Sequence, residues 1–548
     1  EPMPEYDDTP MESDQSTAPF LPLGYDHGVY YYLARGAKQV IELTGSGHTK
    51  GGLLMLAPLH YWEREFPANK GANWDMASNA LLRWSERAGV YDPMRVRGRG
   101  AWWDDGVPVL HLGDRLIRNG EVVDLNSIES RYIYEAAAPI RITTDNPLTS
   151  AEAVEFVELC KLLSWEKPIN AILLAGWCVV ASICGALRWR PHIWLTGPAG
   201  SGKSWIYENI LCRSLGDLAL AVASETTEAG LRQVLGNDAR PVVFDEAEGE
   251  STKAQARIQN VMALMRQASS ETSAAIIKGT VTGEGVRYRI RSCFAFSSIG
   301  VGLQQHADHT RVTVLSLTIN TRMSREERAA HFQRIQEKWH ATLTPEFVER
   351  LHARTVRLIP VIRRNAETFA VAGASVIGTR RLGDQLGALI AGAYSLFSGK
   401  EISLERARAW LETQDWSDAE HLQEERDEIA CLQRIIQHVV TVQTSQGRFD
   451  RSIGELLYAV WDNADNDVPP SVAHDTLRRH GIKWEGDRVL ISNTHTAIAG
   501  ILRGTPWSAN WGRILKRIEG ADTSATTRFG ADRPSRATVL PREAITGG

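Results

Sequence analysis

The stretch "HIWLTGPAGSGKSWIYENIL", residues 192 to 211, limits what this chain can fold into more than any other part of its 548 residues. A short apolar run leads into Gly197, and after four intervening residues come Gly202, Lys203 and Ser204, followed by a helix-like segment. A strand that stops in a glycine-rich turn and restarts as a helix belongs to a parallel α/β sheet, with the turn at the carboxyl edge. The loop of Gly197, Pro198, Ala199, Gly200, Ser201, Gly202, Lys203 and Ser204, with Trp205 just behind it, is therefore a candidate phosphate cradle. Its glycines let backbone N–H groups turn inward, and the positive end of the helix points at the same spot. Lys203 is expected to reach the β- and γ-phosphates and the Ser204 hydroxyl to ligate Mg²⁺, which makes ATP with Mg²⁺ the expected ligand.

Three later segments complete this reading. "ARPVVFDEAEGE" is an apolar strand ending in Asp245 and Glu246, 42 residues after Lys203. An acid at a strand's carboxyl end lies beside the phosphate loop, where Asp245 can hold Mg²⁺ through water and Glu246 can polarise the attacking water. "SCFAFSSIGVG" is a second apolar strand with a polar end, and Ser298, or alternatively Ser297, is placed to present a hydroxyl to the γ-phosphate. Arg311, just before the β-prone run "VTVLSL", is a candidate arginine finger for a neighbouring subunit's nucleotide, the alternative being a surface salt bridge. His306 and His309 have no carboxylate or Cys beside them to complete a metal set and are read as surface residues.

Between the Asp245 and Ser298 segments lies "IIKGTVTGEGVRYRIRS", residues 276 to 292, a basic, β-prone hairpin carrying Lys278, Arg287 and Arg289. The chain's net charge is −5, so a nucleic-acid surface cannot come from overall positive potential. Several copies of one basic hairpin converging in a ring would concentrate charge that a single chain lacks. Contacts to phosphates are indifferent to sequence, as translocation along a strand requires. A surface hairpin with solvated charges is the alternative.

The order of phosphate-loop strand, carboxylate strand, basic hairpin, polar-ended strand and Arg resembles the superfamily-three helicases of viruses and plasmids, a clade of AAA+ ATPases. More loosely it resembles the MCM helicases. Within residues 190–320, "GPAGSGKS" is similar to motif A, "VVFDEAEG" to motif B, the hairpin to B′ and "CFAFSS" to motif C. The resemblance implies a hexameric ring whose hairpins grip single-stranded DNA, with Lys278, Arg287 and Arg289 on backbone phosphates. The family usually has Asn where this chain has Ser298. Flanking segments such as "LISNTHTAIAGILRGTPWSANWGRILKRI" resemble prophage-encoded primase–helicases, which implies a primase module upstream.

The fold expected is α/β, an AAA+ P-loop core with appended parts. Residues 1–19 read as an acidic disordered linker. Residues 20–145 read as a small α+β domain with strands around D-G and N-G turns. A helical collar (146–189), the ATPase core (190–322) and a helical lid (323–420) follow, and 421–548 read as a winged helix. There a long helix over "ERDEIACLQRIIQHVVTVQ", two shorter helices and the hairpin "IKWEGDRVLIS" are expected, with Arg478, Arg479 and Lys483 as candidate DNA contacts. "RVRGRGAWWDDG", 95–106, mixes Arg95, Arg97 and Arg99 with Trp102 and Trp103; these could stack on bases or fill a core, and the core is favoured. Arg380 and Arg381 are candidates for an ATP-contacting arginine.

The uncharged run 171–187 is at the short edge of a membrane span and reads as a buried helix. Six cysteines without C-x-x-C spacing fit reduced core thiols in the cytoplasm. The chain begins with Glu, as a fragment would. The sequence therefore favours a replicative DNA helicase acting on single-stranded or forked DNA. An AAA+ remodeller or helicase loader, and an ATP-switched DNA-binding initiator, are the alternatives.

Overall fold

In the computed structural model, residues 18–245, 247, 251–271, 276–279, 285–303, 306–417, 427–462, 465, 467–505, 507–524, 526–530 and 534–546 are described. The chain divides into two compact units, Glu1–Asp415 and Trp416–Gly548.

The first unit begins with a three-stranded antiparallel sheet of Phe20–Asp26, Val29–Ala34 and Gln39–Thr44. Phe20, Tyr32, Trp62 and Trp84 close its core against helix Trp74–Ala88. A four-stranded meander follows: Gly100–Asp104, Val107–His111, Leu116–Arg118 and Glu121–Val123. Its D-G and N-G turns carry positive φ at both central residues, Asp105 and Gly106, then Asn119 and Gly120, the geometry that matches strand twist in a two-residue loop.

The central sheet has five strands, numbered here in chain order: β1 His192–Thr196, β2 Leu220–Val222, β3 Val242–Phe244, β4 Phe294–Ser297 and β5 Val312–Ser316. All pairs are parallel and the spatial order is β2-β3-β4-β1-β5. Most of the strand residues are buried, which is why these segments read as continuous apolar runs rather than alternating ones. On one face Phe244, Phe294, Phe296 and Trp194 pack with Val261, Met262 and Met265 of helix Thr252–Ala268.

Helices Ser150–Lys161 and Ile169–Ser182, expected as a collar, pack with helices Pro345–Arg357, Ile359–Ile377 and Arg380–Phe397, expected as a lid. Collar and lid thus share one helical layer. The joint depends on glycine: a Cβ on Gly176 would stand 2.0 Å from Leu389 O, and one on Gly392 would stand 2.4 Å from Gly176 O. The uncharged run 171–187 is mostly this buried helix, and no described helix is long and apolar enough to cross a membrane.

In the second unit the expected long helix stops at Ile436, and Val439–Thr444 pairs with Gly447–Ser452 as a hairpin. The β-branched "VVTV" alternates exposed and buried positions, a strand's period, and that overrides the helical reading. Helices Ile453–Asp462 and Pro470–Arg479 follow as expected. The expected two-stranded wing, Ile482–Glu485 with Arg488–Ser492, is extended by Ala537–Pro541 and Asp522–Thr523 into a four-stranded sheet.

Candidate nucleotide site and hairpin

The parallel sheet brings three sequence-predicted groups to one edge. The phosphate loop leaves the carboxyl end of β1, Asp245 follows β3, and Ser298 follows β4, the strand between them. Gly197, Gly200 and Gly202 have φ of 156°, 80° and 95°, backbone that side-chain-bearing residues rarely adopt. A Cβ on Gly197 would also lie 2.9 Å from Leu317 O. Pro198, Ala199, Gly200 and Ser204 are exposed along the loop. Lys203 Nζ donates to the carbonyls of Gly197 (2.6 Å) and Pro198 (3.0 Å), so its ammonium lies over the loop. Ser201 Oγ is buried without a hydrogen-bond partner. A glycine cradle, a lysine folded over it and an unpaired hydroxyl inside it suit a bound phosphate chain.

After the loop, helix Lys203–Ile206 runs into a wider π-helical turn, Tyr207–Cys212, before resuming at Arg213–Leu215. Wide turns of this kind recur at functional sites. Here the Tyr207 hydroxyl donates to Val243 O of β3 at 3.4 Å. Burial first, then the charges of Cys212 and Asp245, hold Tyr207 in its neutral form. Asp245 is half-buried beside it, its N–H donating to Val222 O. Glu246 lies outside the described residues.

Ser298 is buried, and its hydroxyl is engaged: it accepts from Trp194 Nε1 at 2.8 Å and donates to Gly300 O at 2.5 Å. A γ-phosphate could take that proton only at the expense of the Gly300 bond. Ser297 is equally buried, and its carbonyl accepts from Ala247 N.

Beside the loop opens a cleft of about 200 Å³, walled by Trp205, Ser164, Asn320, Arg328, His331 and Phe332. Trp205 meets Phe332 and Trp339 edge-on at 5.9 and 6.3 Å, tying the phosphate-loop helix to helix Arg325–Thr342. The sequence reading named Trp205 but missed the other residues walling this cleft, although a signal was present. Ser324 and Glu327 form a capping box that fixes the helix start, and 328, 331, 332 and 335 then recur on one face.

Arg311 directly precedes β5, at the edge of the sheet opposite the phosphate loop. Five strand residues at about 3.3 Å each separate those edges, so Arg311 cannot serve its own subunit's loop. It is partly buried, with Nη1 donating to Ala307 O at 2.8 Å. Burial first, then Arg381 and Arg266, lower its pKa, partly offset by Asp308. His309 is partly buried, and no group of three or more His, Cys, Asp or Glu among the described residues could hold a metal. Arg380 pairs with Asp384 one turn on, at 3.0 Å.

The hairpin is present: Ile276–Gly279 pairs antiparallel with Gly285–Tyr288, Lys278 opposite Val286 and Arg287 opposite Ile277. The two cations therefore occupy adjacent rungs of the ladder, one on each arm. The side chains of Lys278 and Arg287 lie outside the described residues. The returning arm ends at Tyr288, so Arg289 lies just past it, partly buried, with Nε lacking a partner.

Within 95–106 Arg97 and Trp102 are core, Arg99 and Trp103 are partly buried, and Arg95 is exposed. Trp102 is 1% exposed, and Arg99 is paired with Asp238 at 2.6 Å. In the second unit Arg478 Nε is buried without a partner and Lys483 pairs with Glu485.

No protein-family model matches the chain, and no curated protein does. Among solved structures it is similar to "SCCmec type IV Cch - active helicase", at 13% identity and a TM-score of 0.43, over 97% of this chain and 95% of that one. It is also similar to the apo structure of the NrS-1 C-terminal region, at 12% identity and a TM-score of 0.30, over 79% of this chain and 96% of that one. At such scores the likeness is in backbone trace alone, and the chemistry of the site rests on this chain's own residues.

Proposed function

We propose that this chain is an ATP-driven DNA helicase that assembles as a ring, a hexamer, and moves along single-stranded DNA through its basic hairpin. The observation that carries the reading is topological. The hairpin is inserted in the chain between β3 and β4, whose carboxyl ends bear Asp245 and Ser298 at the nucleotide edge. A change at that edge has a two-strand path to the hairpin.

The residues divide the work as follows. Backbone N–H groups of Gly200, Ser201, Gly202 and Lys203 bind the phosphates, and Lys203 neutralises their charge. Mg²⁺, held by Ser204 and through water by Asp245, would supply further neutralisation of the phosphate oxygens. Glu246 orients the attacking water and accepts its proton. Trp205 and the cleft beside it shelter the nucleoside end. Arg311, out of reach of its own loop, is placed to complete a neighbour's site. Lys278 and Arg287, with Arg289 at the base, contact DNA backbone phosphates. Separating strands asks only about 1.4 kcal/mol of stacking per base-pair step, well within the reach of ATP hydrolysis.

The test is ATP hydrolysis with and without single-stranded DNA, alongside mass in solution with ATP. Stimulated hydrolysis by a particle of six chains supports the reading. A monomer whose hydrolysis ignores DNA contradicts it.

A further inference from the structure

The base of the hairpin shows how residues 20–145 can take part. Arg291, three residues past the returning arm, is 7% exposed and has its guanidinium 5.4 Å from the ring centre of Trp102. Arg97 lies 4.8 Å from the same ring. Trp102 thus takes two cations, and its indole N–H donates to Gly98 O at 2.8 Å, which fixes the ring's orientation. Arg97 is itself held by Tyr132, 3.3 Å from its guanidinium, by Tyr134 Oη and by Trp103 O.

The same region reaches the central sheet at its amino edge. Arg291 Nε donates to both oxygens of Glu271, at 3.2 and 3.4 Å. Glu271 also accepts from Arg190 Nη1 at 3.0 Å, and Arg190, 0% exposed, stands two residues before β1. Arg190 Nε is bonded to Ala268 O at 2.5 Å. Burial disfavours the Glu271 charge, but Arg291 and then Arg190 outweigh it and keep the carboxyl below its ordinary range. Next to Trp102, Gly100 pairs with Ala239 and Arg99 grips Asp238, both just before β3. The lead-ins to β1 and β3 and the exit of the hairpin are therefore bound to one patch around Trp102.

Cations outnumber anions here. Arg97, Arg190, Arg289 and Glu271 all lie close enough to Arg291 to interact with it, with Asp104 bonded to the Tyr134 hydroxyl that Arg97 contacts and Asp238 taken up by Arg99, and Arg97 Nε, Arg190 Nη2 and Arg289 Nε are buried without partners. Arrangements in which charges repel stay together only when another force holds them, and an aromatic ring within reach of two guanidiniums does that without adding an anion.

We infer that Trp102 is a positioning residue for the hairpin: in contact with both Arg97 and Arg291, it sets where the returning arm leaves the ladder and enters β4. Through it residues 20–145 act as the fixed mount against which the hairpin moves. The inference rests on the hairpin being the DNA-contacting element.

The experiment compares the full-length protein with Trp102→Leu, Trp102→Phe and Arg291→Gln. Three readouts are taken: basal ATP hydrolysis, its stimulation by a single-stranded oligonucleotide, and amide hydrogen exchange over 285–292. Trp102→Leu and Arg291→Gln should keep basal turnover within about twofold, need about tenfold more oligonucleotide for half-stimulation, and speed exchange over 285–292 by about tenfold. Trp102→Phe, which keeps a π face, should restore both. Arg291→Gln leaves the indole in place, so it decides the matter if Trp102→Leu does not fold. The inference is overturned if exchange and half-stimulation are unchanged, or if basal and stimulated rates fall by one common factor. A wild-type enzyme indifferent to DNA would refute the helicase reading instead, and exchange over 285–292 would still judge the role of Trp102.

Discussion

On the proposed reading the phosphate loop and the base of the hairpin do comparable jobs, each fixing a group that acts on a phosphate, and they are built in opposite ways. The loop is local: eight consecutive residues, three of them glycines at positive φ, make the whole cradle. The hairpin base is assembled from Arg97, Trp102, Arg190, Glu271 and Arg291, drawn from segments nearly two hundred residues apart. A cradle of backbone N–H groups needs particular φ angles in sequence, so it leaves a motif. A mount needs only packed partners, which any distant segments can supply, so it leaves none.

The sharpest way to break this contrast is at the loop. Lys203→Ala should lower ATP turnover by about 10² or more, because no neighbour can replace a charge aimed from within a local motif. Measured kcat close to wild type would remove the loop as the catalytic site.

The non-local joints should respond in stability instead. Asp238→Ala takes the carboxylate from the partly buried Arg99 guanidinium, leaving it only Ala138 O, and takes the acceptor from the Arg99 N–H, and should cost about 3 kcal/mol in denaturant unfolding of the first unit. An unchanged midpoint would show that this segment is not clamped to the sheet.

Two buried histidines sharpen the contrast through pH. His111 bridges Glu135 O and Gly113 N, and His352 donates to Ser214 O. Burial, the main cause, lowers both pKa values from 6.5 to about 4. Between those values the unfolded chain binds more protons than the folded one. Stability should therefore hold above pH 6.5, fall as pH drops toward 4, and level off below. His352→Gln should flatten that slope in urea midpoints taken across the range. A slope identical to wild type would count against a buried neutral His352.

A purely local device should matter least. Thr149 and Glu152 form a reciprocal capping box on helix Ser150–Lys161, and Thr149→Ala should cost about 1 kcal/mol. Thermal unfolding measures it, and a loss as large as that of Asp238→Ala would erase the distinction between local and non-local support.

What could be read from the sequence follows the same division. The phosphate loop, the strand before it, the hairpin and the D-G and N-G turns are all specified by residues close together, and each was legible. The strand at Val439–Thr444 was misread because a helical period upstream ran into it without a break. The merging of collar and lid depends on Gly176 meeting Gly392, two small residues with no pattern to announce them. The Ser298 hydroxyl could be named but not its partner Trp194, since the two meet only across paired strands. Arg97 and Trp102 suited bases as well as a core, with the core favoured, and their burial and mutual contact bear out the core.

The central claim is that the inserted hairpin carries force from ATP hydrolysis to DNA, and Lys278→Ala tests it most directly. Basal hydrolysis should stay near wild type while separation of a forked duplex is lost. If that variant still unwinds DNA at the wild-type rate, the hairpin is not the element that moves the strand.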